Sequence, residues 1–76
     1  MSDFVLVVPE GWTQLDWEKL QSEHSAFSKP SVEDWLATGQ LFYMCEQLVL
    51  AGAIPEGSSL VDARLIDDTY FLVKLG

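Results

Sequence analysis

The sequence predicts a small α+β fold: a largely antiparallel three-stranded sheet with two or three helices packed on one face, in the order β-α-α-α-β-β. Two observations carry this reading. Strand-like apolar patterns stand at the two ends of the chain, and helix caps with helical spacing fill the middle; strands segregated from helices build α+β layers. The 76 residues are 49% apolar and include three Trp, two Tyr and four Phe, enough for a folded core but for one domain only.

Asp3–Val8 (Asp-Phe-Val-Leu-Val-Val) is a β-branched run with apolar residues on both faces, and reads as a central or doubly covered strand. Pro9-Glu10-Gly11 follows as a turn. Thr13 then reads as a helix N-cap, with Asp16 in the reciprocal position of a capping box and Trp12 and Trp17 spaced as a hydrophobic staple. That places a first helix over about Gln14–Glu23. His24–Pro30 reads as a loop, and Ser31 as the cap of a second helix with Glu33 and Asp34 in its first turn. Thr38-Gly39 breaks this helix. A third runs over about Gln40–Ala51 and stops at Gly52, a residue suited to the left-handed C-cap.

Leu60–Ile66 and Thr69–Leu75 read as two strands about a turn at Asp67-Asp68. In the last strand Phe71, Val73 and Leu75 share one face, and Tyr70, Leu72 and Lys74 the other. The first and last strands, the most apolar, are expected to pair.

Composition excludes several classes of function. The net charge is −8, and the only basic residues, Lys19, Lys29, Arg64 and Lys74, are scattered; nucleic-acid binding needs them clustered. The carboxylates are spread over every segment, which argues against imitation of DNA's charged surface. One cysteine forbids an internal disulfide, and one Cys with one His does not make an ordinary zinc or haem site. No apolar run approaches the roughly 18 residues of a membrane span, and no basic region precedes a long apolar stretch, so a secretory signal peptide is not expected.

The reactive residue types lack the company that catalysis needs. His24 has hydroxyl neighbours only on its own loop, at Ser22, Ser25 and Ser28, whereas catalytic partners converge from distant segments. Cys45 lies mid-helix among Leu41, Met44, Leu48 and Val49, the setting of a small apolar residue rather than a reactive thiol. Glu33-Asp34 suits a helix start and Asp67-Asp68 a turn; neither has the alternating ligand pattern of a calcium loop. No enzyme, cofactor, metal or small-molecule substrate is expected.

The third helix is the most informative segment. Between Leu41 and Ala51 only Glu46 and Gln47 are plainly polar, whereas a surface helix normally has a polar half. Leu41, Met44, Leu48 and Ala51 form one stripe, able to face the sheet. Phe42, Cys45 and Val49 form a second, either buried by the first two helices or left as an interaction surface. Trp12, Trp17 and Trp35 add apolar area that so small a domain has difficulty hiding. The candidate contact residues are therefore Trp12, Trp17, Trp35, Phe42, Cys45 and Val49, and the expected partner is another protein or a second copy.

Three segments, 7–17 (Val-Val-Pro-Glu-Gly-Trp-Thr-Gln-Leu-Asp-Trp), 52–57 (Gly-Ala-Ile-Pro-Glu-Gly) and 65–73 (Leu-Ile-Asp-Asp-Thr-Tyr-Phe-Leu-Val), resemble small proteins of tailed bacteriophages infecting actinobacteria. The stretch Gln21–Ala37 takes no part in the resemblance. It implies a viral origin, and either a virion component or a small host-directed factor, placed in the particle or the host cytoplasm. It assigns no functional residue. The expected function is accordingly a non-enzymatic structural, assembly or protein-interaction module; the alternative is a small acidic inhibitor or adaptor that binds a host protein.

Overall fold

The polar turn at Asp67-Asp68 organises the sheet. Both residues have positive φ (50° and 54°), as a I′-type turn requires at its two central positions. Thr69 N–H closes the turn on Ile66 O at 3.0 Å. The turn joins β2 (Leu60–Ile66) to β3 (Tyr70–Leu75) in an antiparallel pair, with a register shift between Leu60 and Asp62 that leaves Val61 bulged. A third strand, β1 (Trp12–Leu15), lies antiparallel on the other side of β3, giving the order β1-β3-β2 with β1 and β2 at the edges. Between β1 and β2 the chain forms α1 (Trp17–Glu23), a 3-10 turn (Ser25–Phe27), α2 (Lys29–Ala37) and α3 (Leu41–Leu50). The computed structural model describes residues 5–76.

This is the α+β fold predicted, a three-stranded antiparallel sheet with its helices on one face. The helices bury Trp17, Leu20, Phe27, Val32, Met44 and Leu48 against Ala63, Phe71 and Val73 of the sheet, and Ile54 of the α3–β2 loop closes the cluster. Burying each large side chain contributes about 1.5–3 kcal/mol. Register puts Thr13 and Leu15 on this face, opposite Val73 and Phe71.

The N-terminal third differs from expectation. Val5–Val8 form no strand: Val5, Val7 and Val8 are exposed and Leu6 is half-buried, while Asp3 and Phe4 lie outside the described residues. The Pro9–Trp12 turn supplies the reason. Trp12 N–H donates to Pro9 O at 3.1 Å, and Gly11 at the third position has φ 86°, the type II pattern. Type II turns splay the flanking segments instead of aligning them as a hairpin, so the valines are not led back along β1.

Trp12–Leu15 takes the strand position, which moves the helix start from Gln14 to Trp17. Asp16, not Thr13, is the cap: its Oδ1 accepts from Lys19 N–H at 3.1 Å. Asp is the stronger capping residue, and a helix starting at Gln14 would forfeit the pairing of Leu15 with Phe71. The expected staple is likewise absent, because Trp12 and Trp17 lie on opposite sides of the sheet.

The segment 24–30 is not simply a loop. Its 3-10 turn, closed by Phe27 N–H on His24 O at 3.0 Å, drives Phe27 into the core. The second helix begins earlier than Ser31. Ser28 Oγ accepts from Ser31 N–H at 3.3 Å, and Pro30 sits inside the first turn, where its missing N–H costs nothing and its φ already suits a helix. Lys29 Nζ reaches Asp68 Oδ2 at 2.8 Å, tying the start of α2 to the β2–β3 turn.

Candidate functional site

Helix α3 is defined by how it ends. Gly39 and Gly52 both have positive φ (71° and 74°), and each closes a Schellman motif. At α3, Ala53 N–H donates to Leu48 O at 2.9 Å and Gly52 N–H to Val49 O at 3.0 Å; at α2, Gln40 N–H donates to Trp35 O at 2.8 Å. The Gly39 stop reverses the chain so that α3 packs beside α2 and over β2.

The two stripes read from the sequence have opposite fates. Met44 and Leu48 are fully buried, with Leu41 and Ala51 half-buried beside them. On the other side Phe42 is 80% exposed and Cys45 and Val49 are half-buried. Leu50, 79% exposed, extends this face. Phe42 and Leu50 stand about two helical turns apart, roughly 12 Å along the axis, with Glu46 between them. With Cys45, Val49 and Ser58, these residues line a shallow cleft of about 300 Å³. Cys45 Sγ donates to Ser58 O at 3.2 Å, which fixes the loop forming the far wall.

Of the six candidate contact residues, the structure brings Phe42, Cys45 and Val49 together and places the tryptophans elsewhere. Trp17 is 4% exposed and meets Phe71 edge-on at 5.3 Å, so it is a core residue and not a contact residue. Trp35 is half-buried in an aromatic row, edge-on to Phe27 at 5.6 Å and to Tyr43 at 5.4 Å. Trp12 lies on the sheet face opposite the helices, with the Arg64 guanidinium 5.0 Å from its ring centroid. Sequence reasoning missed Leu50. The available signal was its position about 80° around the helix from Phe42 at 100° per residue, beside neither core-facing residue.

The titratable groups gather no comparable site. A groove of about 400 Å³ between β1, α1 and the α3–β2 loop is bordered by Asp16, Lys19, Glu23 and His24. Asp16 is engaged as the α1 cap, and His24 stacks edge-on near Phe27 at 6.5 Å. Among the described residues no three His, Cys, Asp or Glu side chains are grouped to hold a metal ion, and no helix is long and apolar enough to cross a membrane. No protein-family model, curated protein or solved structure matches the chain.

Proposed function

We propose that the chain is a non-enzymatic protein-docking module of structural or assembly type, associated with a bacteriophage particle, and that it engages another protein subunit through the outer face of α3. One observation carries the docking: Phe42 and Leu50 lie bare on one face of a helix whose other face buries Met44 and Leu48 in the core. Covering both would contribute about 1.5–3 kcal/mol each, and the cleft beside them gives a partner's side chain a place to enter. The particle association rests on the resemblance of segments 7–17, 52–57 and 65–73 to phage proteins. The anchors differ from the tryptophans first expected, since Trp17 and Trp35 are committed to packing within the domain.

A second reading, a host-directed adaptor or inhibitor, is favoured by the net charge of −8 and would use the same face. Photo-crosslinking tests the docking that both share. A photoreactive residue replaces Phe42, and separately Glu18 on the exposed side of α1, in infected actinobacterial cells. Position 42 is expected to give a discrete adduct that position 18 does not. Adducts with particle proteins favour the first reading and adducts with host proteins the second. Absence of any adduct specific to position 42 would remove the basis of both.

A further inference from the structure

We infer that the partner segment received by α3 is a basic amphipathic helix, with Leu or aromatic anchors one to two turns apart and Lys or Arg beside them, and not a second copy of this chain. The inference rests on the docking reading above and adds the chemistry of the occupant.

Charge supplies the first argument. Residues 30–61, which contain α3 and both of its flanking loops, carry four carboxylates (Glu33, Asp34, Glu46 and Glu56) and not one Lys, Arg or His. Glu46 stands between the two anchors, and Glu56 is in the Pro55–Ser58 turn that leads into the cleft wall. The four cations lie elsewhere. Lys19 is on α1, Lys29 is held by Asp68, Arg64 lies over Trp12, and Lys74 is on the sheet face opposite the helices. None lines the cleft. A two-fold contact through so short a face would set Glu46 against Glu46 of the copy, inside an acidic surround. A cationic segment meets complementary potential instead, which speeds encounter and disfavours like-charged competitors.

Size supplies the second. Phe42 and Leu50 together expose on the order of 300 Å² of apolar surface, well below the ~800 Å² per side of a stable interface between folded proteins. A folded copy would have to recruit surface well beyond this pair to make up the difference. A single helix need not, because helix-in-groove recognition runs on two or three anchors at helical spacing.

The test is selection from a displayed library of random peptides about 16 residues long, some four helical turns, against the folded 76-residue protein. Clones are sorted by loss of binding to the double variant Phe42→Ser/Leu50→Ser. Both positions are exposed, so this variant is expected to keep its fold, which circular dichroism verifies. The sensitive clones are expected to carry net positive charge with apolar residues at three- or four-residue spacing. As synthetic peptides they should bind roughly tenfold more weakly to the double variant and to Glu46→Lys, and lose affinity as salt rises. Sensitive clones that are neutral or acidic, or no sensitive clones at all, would overturn the inference. So would a concentration-dependent dimer in light scattering that the double variant abolishes. In each of these cases a crosslink from position 42 in cells leaves the docking reading standing, whereas its absence removes both.

Discussion

Leu72 is 2% exposed, yet it lies on the sheet face opposite the helices and outside the main core cluster. Its cover must come from that face. In register it stands between Gln14 of β1 and Arg64 of β2. The Arg64 guanidinium lies over the Trp12 ring at 5.0 Å although the two residues belong to the two outer strands, so the pair spans the central strand on the face that carries Leu72, the position of a roof over it. Leu72→Ala removes the contents of this second, miniature core. Leu-to-Ala changes in cores cost about 2–5 kcal/mol, depending on how far the site can collapse. A roof of two long side chains can settle more readily than packed helices, so about 2–3 kcal/mol is expected. A chain of this length has roughly 4–11 kcal/mol of total stability, and each kcal/mol shifts Tm by about 4–8 °C, so Tm should fall by roughly 10–20 °C. Urea unfolding followed by Trp fluorescence measures the change, with Phe42→Ser as the exposed control, expected within about 0.5 kcal/mol of wild type. A Leu72→Ala cost below about 1 kcal/mol, or a control that costs as much, would refute the roof.

Three further outcomes follow from the same structure. Asp16→Ala should cost about 1 kcal/mol by urea unfolding, because it frees the Lys19 N–H at the start of a short helix; no change would mean that water caps α1 equally well. Asp67→Val should cost about 1–3 kcal/mol, because a β-branched side chain is forced to positive φ, while Asp67→Asn should stay within about 0.5 kcal/mol. The Lys29 ammonium is held above its ordinary value of 10.5, first by its hydrogen bond to Asp68 and then by that carboxylate's charge. A raised lysine stabilises the fold below the unfolded-state value and loses that contribution as pH rises through the folded one. The small difference in urea midpoint between wild type and Lys29→Met should therefore be present at neutral pH, vanish well above pH 10.5 and shrink with salt, since both groups are solvent-exposed.

What the sequence made legible depended on whether a local signal faced competition. The hairpin 60–75 was legible because alternation in two strands and a polar dipeptide all point the same way, and the observed strands match within a residue. Helix α3 was legible because Gly39 and Gly52 bracket it. The N-terminal third was misread because each signal there had a rival. Thr13 and Asp16 both cap helices, and the choice between them turned on whether Leu15 would pair with Phe71, a partner 56 positions away (71 − 15). The valines of 5–8 have the composition of a strand, but composition carries no information about the hand of the turn that follows them. Phe27 looked like a loop residue because a three-residue 3-10 turn has no periodicity to detect.

The α3 face was half legible for a related reason. Helical spacing separates its two stripes without any structure, but which tryptophans cover what is a tertiary matter. Trp17 and Trp35 enter packing with Phe71, Phe27 and Tyr43, which leaves Phe42 and Leu50 as the bare pair. These two side chains contribute little to folding where they stand, and in an uncharged protein they would invite self-association. The surrounding half of the chain holds carboxylates without a single cation, and like charge opposes contact between copies. On the docking proposal, the acidity and the exposed apolar pair would act as one arrangement: repulsion would keep the face free of its own kind, and the same field would favour an approaching cationic helix. Glu46→Lys tests the coupling directly. If the carboxylate serves only solubility, the variant should keep its affinity for basic, face-dependent peptides; if charge selects the partner, that affinity should fall while the fold stays intact.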